Sequence, residues 1–159
     1  MLKSSLLTSL FFAMVSAALP AQQALVAGGG MNELGGLLTI NAVTHNNGLA
    51  TGQFVYRNSA GGVIHAKMES LRVLNNVAYV GGFITQTNGG LGTFPVGWVI
   101  YLRITDTATG PDLMSAPLAV DPNIGASPQD VQIPSWPNIF AFISPSNAQI
   151  VTGAFLVRD

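Results

Sequence analysis

The sequence predicts an all-β fold: a single antiparallel β-barrel or β-sandwich of about eight strands, preceded by an N-terminal signal peptide. Three observations support this. Apolar residues alternate with polar ones, short Asn- and Gly-rich turns separate the alternating segments, and no useful stretch of helical periodicity follows the leader. The chain has 159 residues and no cysteine. That length suits one domain, and the lack of cysteine excludes disulfides, thiolate metal sites and thiol nucleophiles.

The first 21 residues have the layout of a signal peptide. An uncharged apolar run at residues 6–19 follows Lys3, and small residues ending at Ala17, Ala18 or Ala21 offer cleavage sites. The run is short for a membrane span, although an uncleaved anchor helix is the alternative. We therefore expect residues 1–21 to be removed and residues 22–159 to form a secreted, extracellular or periplasmic domain without a transmembrane helix.

Alternation of period two predicts strands with one buried face. Leu38, Ile40 and Ala42 share one face of an early segment, and Phe54 and Tyr56 repeat the pattern. The clearest case places five apolar residues at i, i+2 spacing, and we expect all five to be buried. They are Val96, Trp98, Ile100, Leu102 and Ile104.

Turn residues predict how the strands connect. Asn75-Asn76 lies between apolar segments and suits a two-residue hairpin, and residues 58–62 and 46–48 predict two further turns. Between residues 63 and 74 the apolar residues change parity, which predicts a β-bulge near Glu69-Ser70. Residues 139–144 and 149–157 read as the last two strands, on either side of a turn at residues 144–147.

Residues 107–137 read as a long Pro-rich loop, with six of the nine prolines of the chain. Proline cannot donate to a strand ladder, so this is not a central strand. Loops of this length are functional or loosely ordered. Residues 118–120 and 131–133 can form short edge strands within it, and Trp136 can pin its end to the core. A specificity surface is expected here or at the Gly-rich turn of residues 87–94.

Seven short motifs occur in an order that resembles a known family. They are Gly28-Gly29-Gly30, Gly52-Gln-Phe-Val-Tyr56, Val63-Ile-His65, Asn75-Asn76, Gly81-Gly82, Ile104-Thr-Asp106 and Gly153-Ala-Phe-Leu-Val157. Their order resembles the post-COAP domain, a β-rich module of bacterial secreted and cell-surface proteins. The resemblance implies that fold and location and carries no established catalytic activity. The chain departs from the family after Asp106, where Thr107-Ala-Thr-Gly110 and a long insertion replace an Asn-Gly-Glu-Pro-Gly-like turn.

Charge and ionisable groups argue against several functions. The net charge is -1 and the few Lys and Arg residues are scattered, so nucleic acid is not an expected partner. His45 and His65 are far apart in sequence, and a metal site would need them to converge with a carboxylate. No Gly-x-Ser-x-Gly elbow is present. We therefore predict no enzyme, no cofactor and no metal; a hydrolase would need a histidine beside a carboxylate and a hydroxyl.

The carboxylates have structural and functional interpretations. Glu69 is expected to pair with Lys67 on one strand face, whereas glycosidase chemistry would need it to face Asp106 across neighbouring strands. Asp112 and Asp121 lie with Asp106 in or near the long loop. They can bind calcium there, but turn capping is the expected role.

The sequence thus predicts an exported, non-catalytic β-domain with a binding or structural role at or outside the cell surface. Candidate binding residues are Tyr101, the one aromatic expected to be exposed, with Trp136, Asp106 and Asp112. Candidate partners are a glycan, a small apolar ligand or a surface protein. One alternative is a calycin-like barrel that holds a small apolar ligand. A small outer-membrane barrel is disfavoured because the aromatics form no two girdles.

Overall fold

The computed structural model of the protein describes residues 23–45, 49–91, 94–144 and 147–159. Several predicted features lie outside these residues. They are the signal peptide at residues 1–21, the turn at residues 46–48, and the central residues of two other predicted turns, 92–93 and 145–146.

Within the described ranges, the chain forms nine strands, two short 3₁₀ helices and one α-helix. The strands are β1 (Leu25–Asn32), β2 (Leu37–Thr44), β3 (Ala50–Arg57), β4 (Val63–Leu74), β5 (Val77–Asn88), β6 (Val99–Thr105), β7 (Leu113–Ser115), β8 (Leu118–Val120) and β9 (Asn147–Arg158). The 3₁₀ helices are Pro122–Ile124 and Pro128–Gln132, and α1 is Trp136–Ile143. None of the helices described is long and apolar enough to cross a membrane.

Eight strands close into an antiparallel barrel. The ring runs β5-β4-β3-β2-β1-β9-β7-β6 and returns to β5 through the β5–β6 pairing. β8 lies outside the ring and pairs with the start of β6, on the edge where β7 pairs with its end. The prediction of an all-β antiparallel fold is confirmed, and of the two architectures left open the structure is the barrel.

Apolar side chains from every strand of the ring fill its interior. Leu38, Ile40 and Ala42 are buried there, as is Phe54, which confirms the alternation predicted for β2 and β3. Ile100, Leu102 and Ile104 are fully buried on β6 in the same cluster. The barrel is therefore held by a core of inward residues at period two.

Two local predictions for β4 and β5 are confirmed. Leu74 pairs with Val77 across a two-residue turn, in which Asn75 has the positive φ (57°) that such turns require. The β4–β5 register shifts between Met68 and Ser70, so a bulge brings residues of both parities into one core.

The prediction that Val96 is buried is wrong, because β6 begins three residues later at Val99. Val96 lies in the turn before the strand, where the Trp98 amide bonds to the Pro95 carbonyl and Gly97 has a positive φ of 88°. Val96 is 59% exposed, and Trp98 is half-buried against the core. The alternating pattern thus begins three residues before the strand does.

Two further predictions of strands are wrong. Residues 136–143 are the helix α1, because a short apolar run fits either period and Pro137 suits the first turn of a helix. Residues 131–133 overlap the end of the second 3₁₀ helix and are not a strand. The predicted strand at residues 118–120 is confirmed as β8. Residues 107–137 are therefore largely ordered against the barrel rather than one long loop.

Residues 121–144, termed here the covering segment, pack on the outer face of β5, β6 and the second half of β4. Val131, Trp136 and Phe140 form a second buried apolar cluster with outward residues of these strands, Tyr79, Val99 and Tyr101. Gly81 permits this approach, because a Cβ at that position would lie 2.3 Å from the carbonyl oxygen of Pro128. Trp136 is buried at the end of the predicted loop, but it packs in this outer cluster rather than in the barrel core to which it was predicted to pin that end.

Candidate functional site

An open groove of about 800 Å³ crosses the outer face of β2, β3, β4 and β5. Its polar lining comes from residues that point away from the barrel core. They are Asn41, Thr51, Gln53, His65, Lys67, Thr85 and Gln86. Cross-strand register aligns several of them, because Asn41 pairs with Gln53 and Gln53 with Lys67. The groove is therefore built from matched positions of consecutive hairpins.

Strand bending accompanies the groove. A register shift at His65/Ala66 leaves Thr85 as an additional residue on β5, and such bulges bend the strand that carries them. Gly52 lies in the lining of the groove, where a Cβ would be 1.9 Å from the Asn41 carbonyl oxygen. A side chain at position 52 would force β2 and β3 apart.

Hydrogen bonds hold part of the groove lining in place. The Gln53 amide donates to Asn41 Oδ1 (2.9 Å), and Thr85 Oγ1 donates to the His65 carbonyl (3.2 Å). Lys67 Nζ donates to Glu69 Oε1 at 2.8 Å, which confirms the predicted charge pair. The side chains of Gln53 and Lys67 remain exposed to solvent.

A smaller pocket of about 310 Å³ adjoins the groove and shares Thr51 and Lys67 with it. It adds His45, whose Nε2 lies 2.8 Å from Thr51 Oγ1, and Glu69. The two histidines thus border one polar surface although they are far apart in sequence. Across the described ranges, no group of three or more His, Asp or Glu residues is placed to hold a metal ion.

Of the predicted binding residues, Tyr101 lies under the covering segment, and Trp136 is a buried residue of that segment. Tyr101 is only 1% exposed, so the prediction of an exposed Tyr101 is wrong. Its ring contacts that of Trp136, with centroids 4.7 Å apart. The period-two pattern correctly placed Tyr101 on the outward face of β6, but residues 26 to 35 positions later cover that face.

The Tyr101 hydroxyl donates to Asp130 Oδ2 at 2.5 Å and lies 2.9 Å from the Ser127 carbonyl. Burial and this hydrogen bond to a carboxylate raise the pKa of Tyr101 well above its ordinary value. Asp130 also accepts from the Ser127 amide (2.9 Å) and completes a capping box at the start of the second 3₁₀ helix. One carboxylate thus joins the covering segment to β6.

Asp106 and Asp112 lie at the seam between β7 and β9. β7 pairs with only the first three residues of β9. Beyond that point, Asp112 Oδ2 accepts from the Phe155 amide (2.6 Å), and Asp106 Oδ2 accepts from the Val157 amide (3.1 Å). Both carboxylates take the place of a missing strand partner for β9. Their predicted role in ligand binding stays a prediction.

The other carboxylates follow the structural interpretation. Asp121 Oδ1 accepts from the Asn123 amide at 2.9 Å and caps the first 3₁₀ helix, as turn capping predicts. Glu69 and Asp106 lie on β4 and just past β6, and β5 separates these strands. The neighbouring strands that a glycosidase pair would need are therefore not formed.

An apolar pocket of about 500 Å³ lies at the end of the barrel where β1, β3 and β5 finish. Tyr56, Leu91 and Phe94 contribute to its walls, and Met114 and Ser115 are buried beneath it. It shares no lining residue with the polar groove.

Comparison with known proteins adds no relatives. No protein-family model, curated protein or solved structure matches the chain.

The groove itself was missed at the level of sequence, although its residues were visible. A signal was present: the turns at residues 46–48 and 58–62 imply the cross-strand row Asn41, Gln53 and Lys67. The sequence pattern does not reveal how the sheet curves, because outward polar residues have the same spacing on a flat sheet and on a concave one.

Proposed function

We propose that the chain is an exported, non-catalytic β-barrel domain that binds a hydroxyl-rich glycan in the polar groove. The observation that carries this proposal is the chemistry of the two sides of the sheet. Apolar side chains fill the inside of the barrel, whereas amide and hydroxyl side chains, with Val43 and Val55 beside them, line an open groove of about 800 Å³ on the outside. The export rests on the signal-peptide pattern of residues 1–21.

The lining suits neutral hydroxyl groups. Each sugar hydroxyl both donates and accepts, and the side-chain amides of Gln53 and Gln86 offer both functions, while Asn41 offers its Nδ2 donor. Lys67 is already paired with Glu69, so the groove presents little unbalanced charge to a ligand. The adjoining pocket at Thr51 lengthens the surface, as an extended ligand would need.

Binding without cleavage is supported by the carboxylates of this surface. Glycoside hydrolysis ordinarily needs two carboxyl groups that flank the scissile bond. Among the described residues lining the groove and its adjoining pocket, Glu69 is the one carboxylate, and it bonds to Lys67.

The test is a glycan-binding screen on residues 22–159, followed by calorimetry with the best neutral oligosaccharide. Gln53→Ala should weaken binding about tenfold, because one or two hydrogen bonds contribute about 1 kcal/mol each. The matched control is Gln149→Ala, an exposed glutamine on β9 outside the groove, which should bind normally. Equal affinity in Gln53→Ala and Gln149→Ala would refute the groove as the site. If the groove binds a protein and no glycan, the proposal of a glycan ligand is wrong.

The compartment needs its own experiment. The full chain expressed in a bacterial host should appear in the periplasm or medium, with a mass that corresponds to cleavage after Ala17, Ala18 or Ala21. Recovery of the uncut chain in the cytoplasm would contradict export.

A further inference from the structure

We infer that the apolar pocket at the end of the barrel is a second binding site, for a small, neutral and largely apolar molecule. Its volume of about 500 Å³ lies within the range of small-molecule sites. Such sites are usually concave and apolar with few polar groups, and this pocket lies at the mouth of a barrel, where ligands often enter.

The position of the pocket gives it depth. Met114 and Ser115 of β7 are almost fully buried and form its floor. Tyr56, Leu91 and Phe94 are half-buried and pack against the barrel core. A ligand seated there would bury apolar surface that these side chains leave partly exposed to water.

The polar residues of the lining are engaged in building the surrounding turns. Asn32 Oδ1 accepts from the amides of Leu34 (3.1 Å) and Gly36 (2.8 Å). Asn58 Oδ1 accepts from the Gly62 amide (2.7 Å), and Ser115 Oγ accepts from the Arg103 amide (3.0 Å). Because these oxygens already have donors, what the pocket offers a ligand is chiefly apolar contact.

Charge narrows the ligand class further. Glu33 at the rim is the charged residue among those that line the pocket. A carboxylate there repels anionic head groups such as that of a fatty acid. The pocket therefore favours a neutral apolar molecule over an anionic one of the same size.

The probe for this site is N-phenyl-1-naphthylamine, a neutral molecule that fluoresces in apolar surroundings. Residues 22–159 should bind it saturably, and an anionic anilinonaphthalene sulfonate should bind about tenfold more weakly. Ala148→Phe should weaken binding of the neutral probe at least about tenfold, because Ala148 lines the pocket and pairs with Met114. Ala154→Phe, at an exposed position of the same strand, should bind like the parent chain.

Two results would overturn the inference: no saturable binding by the parent chain, or equal binding by Ala148→Phe. If thermal unfolding shows that Ala148→Phe does not fold, Ala116→Trp replaces it, because Ala116 is an exposed residue of the same lining. The glycan site is tested separately, because Ala148→Phe should leave glycan binding unchanged.

Discussion

Two outer faces of one barrel differ in what lies on them. The outer face of β5 and β6 carries Tyr79, Val99 and Tyr101, and the covering segment buries all three. The outer face of β2, β3 and the first half of β4 carries Thr51, Gln53 and Lys67, which stay exposed. Both faces surround the same apolar core. The difference teaches that outward residues, rather than inward ones, tell which surface of a barrel remains open to a ligand.

Polar links supplement the apolar contacts of the covered face. Gln132 Nε2 donates to the Leu71 carbonyl at 2.9 Å, beside the bulge in β4. An Arg72 guanidinium nitrogen donates to the Ile133 carbonyl at 2.7 Å, and Tyr101 bonds to Asp130. These links fix the register of the covering segment on the barrel.

The largest expected effect is the loss of apolar packing on the covered face. Phe140 is fully buried and contacts the rings of Tyr79 and Trp136. Phe140→Ala should lower the free energy of unfolding by about 3–5 kcal/mol in denaturant titrations. Phe142→Ala in the same helix is the control, because Phe142 is 87% exposed and its loss should change stability by less than about 0.5 kcal/mol. Equal losses would mean that α1 does not pack as described.

The next effect concerns the hydroxyl that joins β6 to the covering segment. Tyr101→Phe should lower the free energy of unfolding by about 2 kcal/mol, because it removes a hydrogen bond to a carboxylate. Tyr79→Phe provides the comparison at a second buried tyrosine of the same cluster. A loss near zero for Tyr101→Phe would show that the Asp130 link contributes nothing.

Alkaline pH should reduce the stability that this link provides. Because the folded protein holds the pKa of Tyr101 above its ordinary value of 10.0, the unfolded chain loses this proton first. The stabilisation is therefore fully present below about pH 10 and declines as the pH rises further. Denaturation at about pH 8 and about pH 11 should show a steeper loss for the parent chain than for Tyr101→Phe. Parallel losses would contradict the shift.

A smaller effect is expected at Trp136. Its indole N–H is buried without a hydrogen-bond partner in the part of the chain that the structure describes. A buried donor without an acceptor costs about 1–3 kcal/mol, which offsets much of the ring's packing. Trp136→Phe should therefore destabilise by less than about 1.5 kcal/mol, well below Phe140→Ala. A larger loss would show that the N–H has a partner such as bound water.

The smallest effect on stability is expected on the exposed outer face that carries Gln53. Gln53→Ala should leave the free energy of unfolding within about 0.5 kcal/mol, because the Gln53 side chain is exposed and only its backbone amide bonds to Asn41. A substantial loss would mean that this face is also covered, and the contrast between the two faces would fail.

What the sequence predicted well depends on local periodicity. The inward residues of β2, β3 and β6, the Asn75-Asn76 turn and the bulge beside Ser70 all follow from neighbours within a few positions. α1 and the burial of Tyr101 do not, because they depend on contacts between distant parts of the chain. Tertiary packing decided between helix and strand for residues 139–144, where the apolar run suits both.

The candidate site was predicted less well. The predicted binding residues Tyr101, Trp136, Asp106 and Asp112 are chemically distinctive, but each makes a structural contact in the fold. The groove residues are ordinary amides and hydroxyls, and the bending of the strands that carry them gives their surface its shape. Sequence patterns identify such residues but not the shape that they form together.

The short pairing between β7 and β9 has a consequence for association between copies of the chain. Unpaired strand amides invite another strand to add on, which is how edge-to-edge aggregation begins. At the seam, Asp112 and Asp106 occupy the amides of Phe155 and Val157 that an incoming strand would use. These two carboxylates therefore block strand addition along the part of β9 that β7 does not cover.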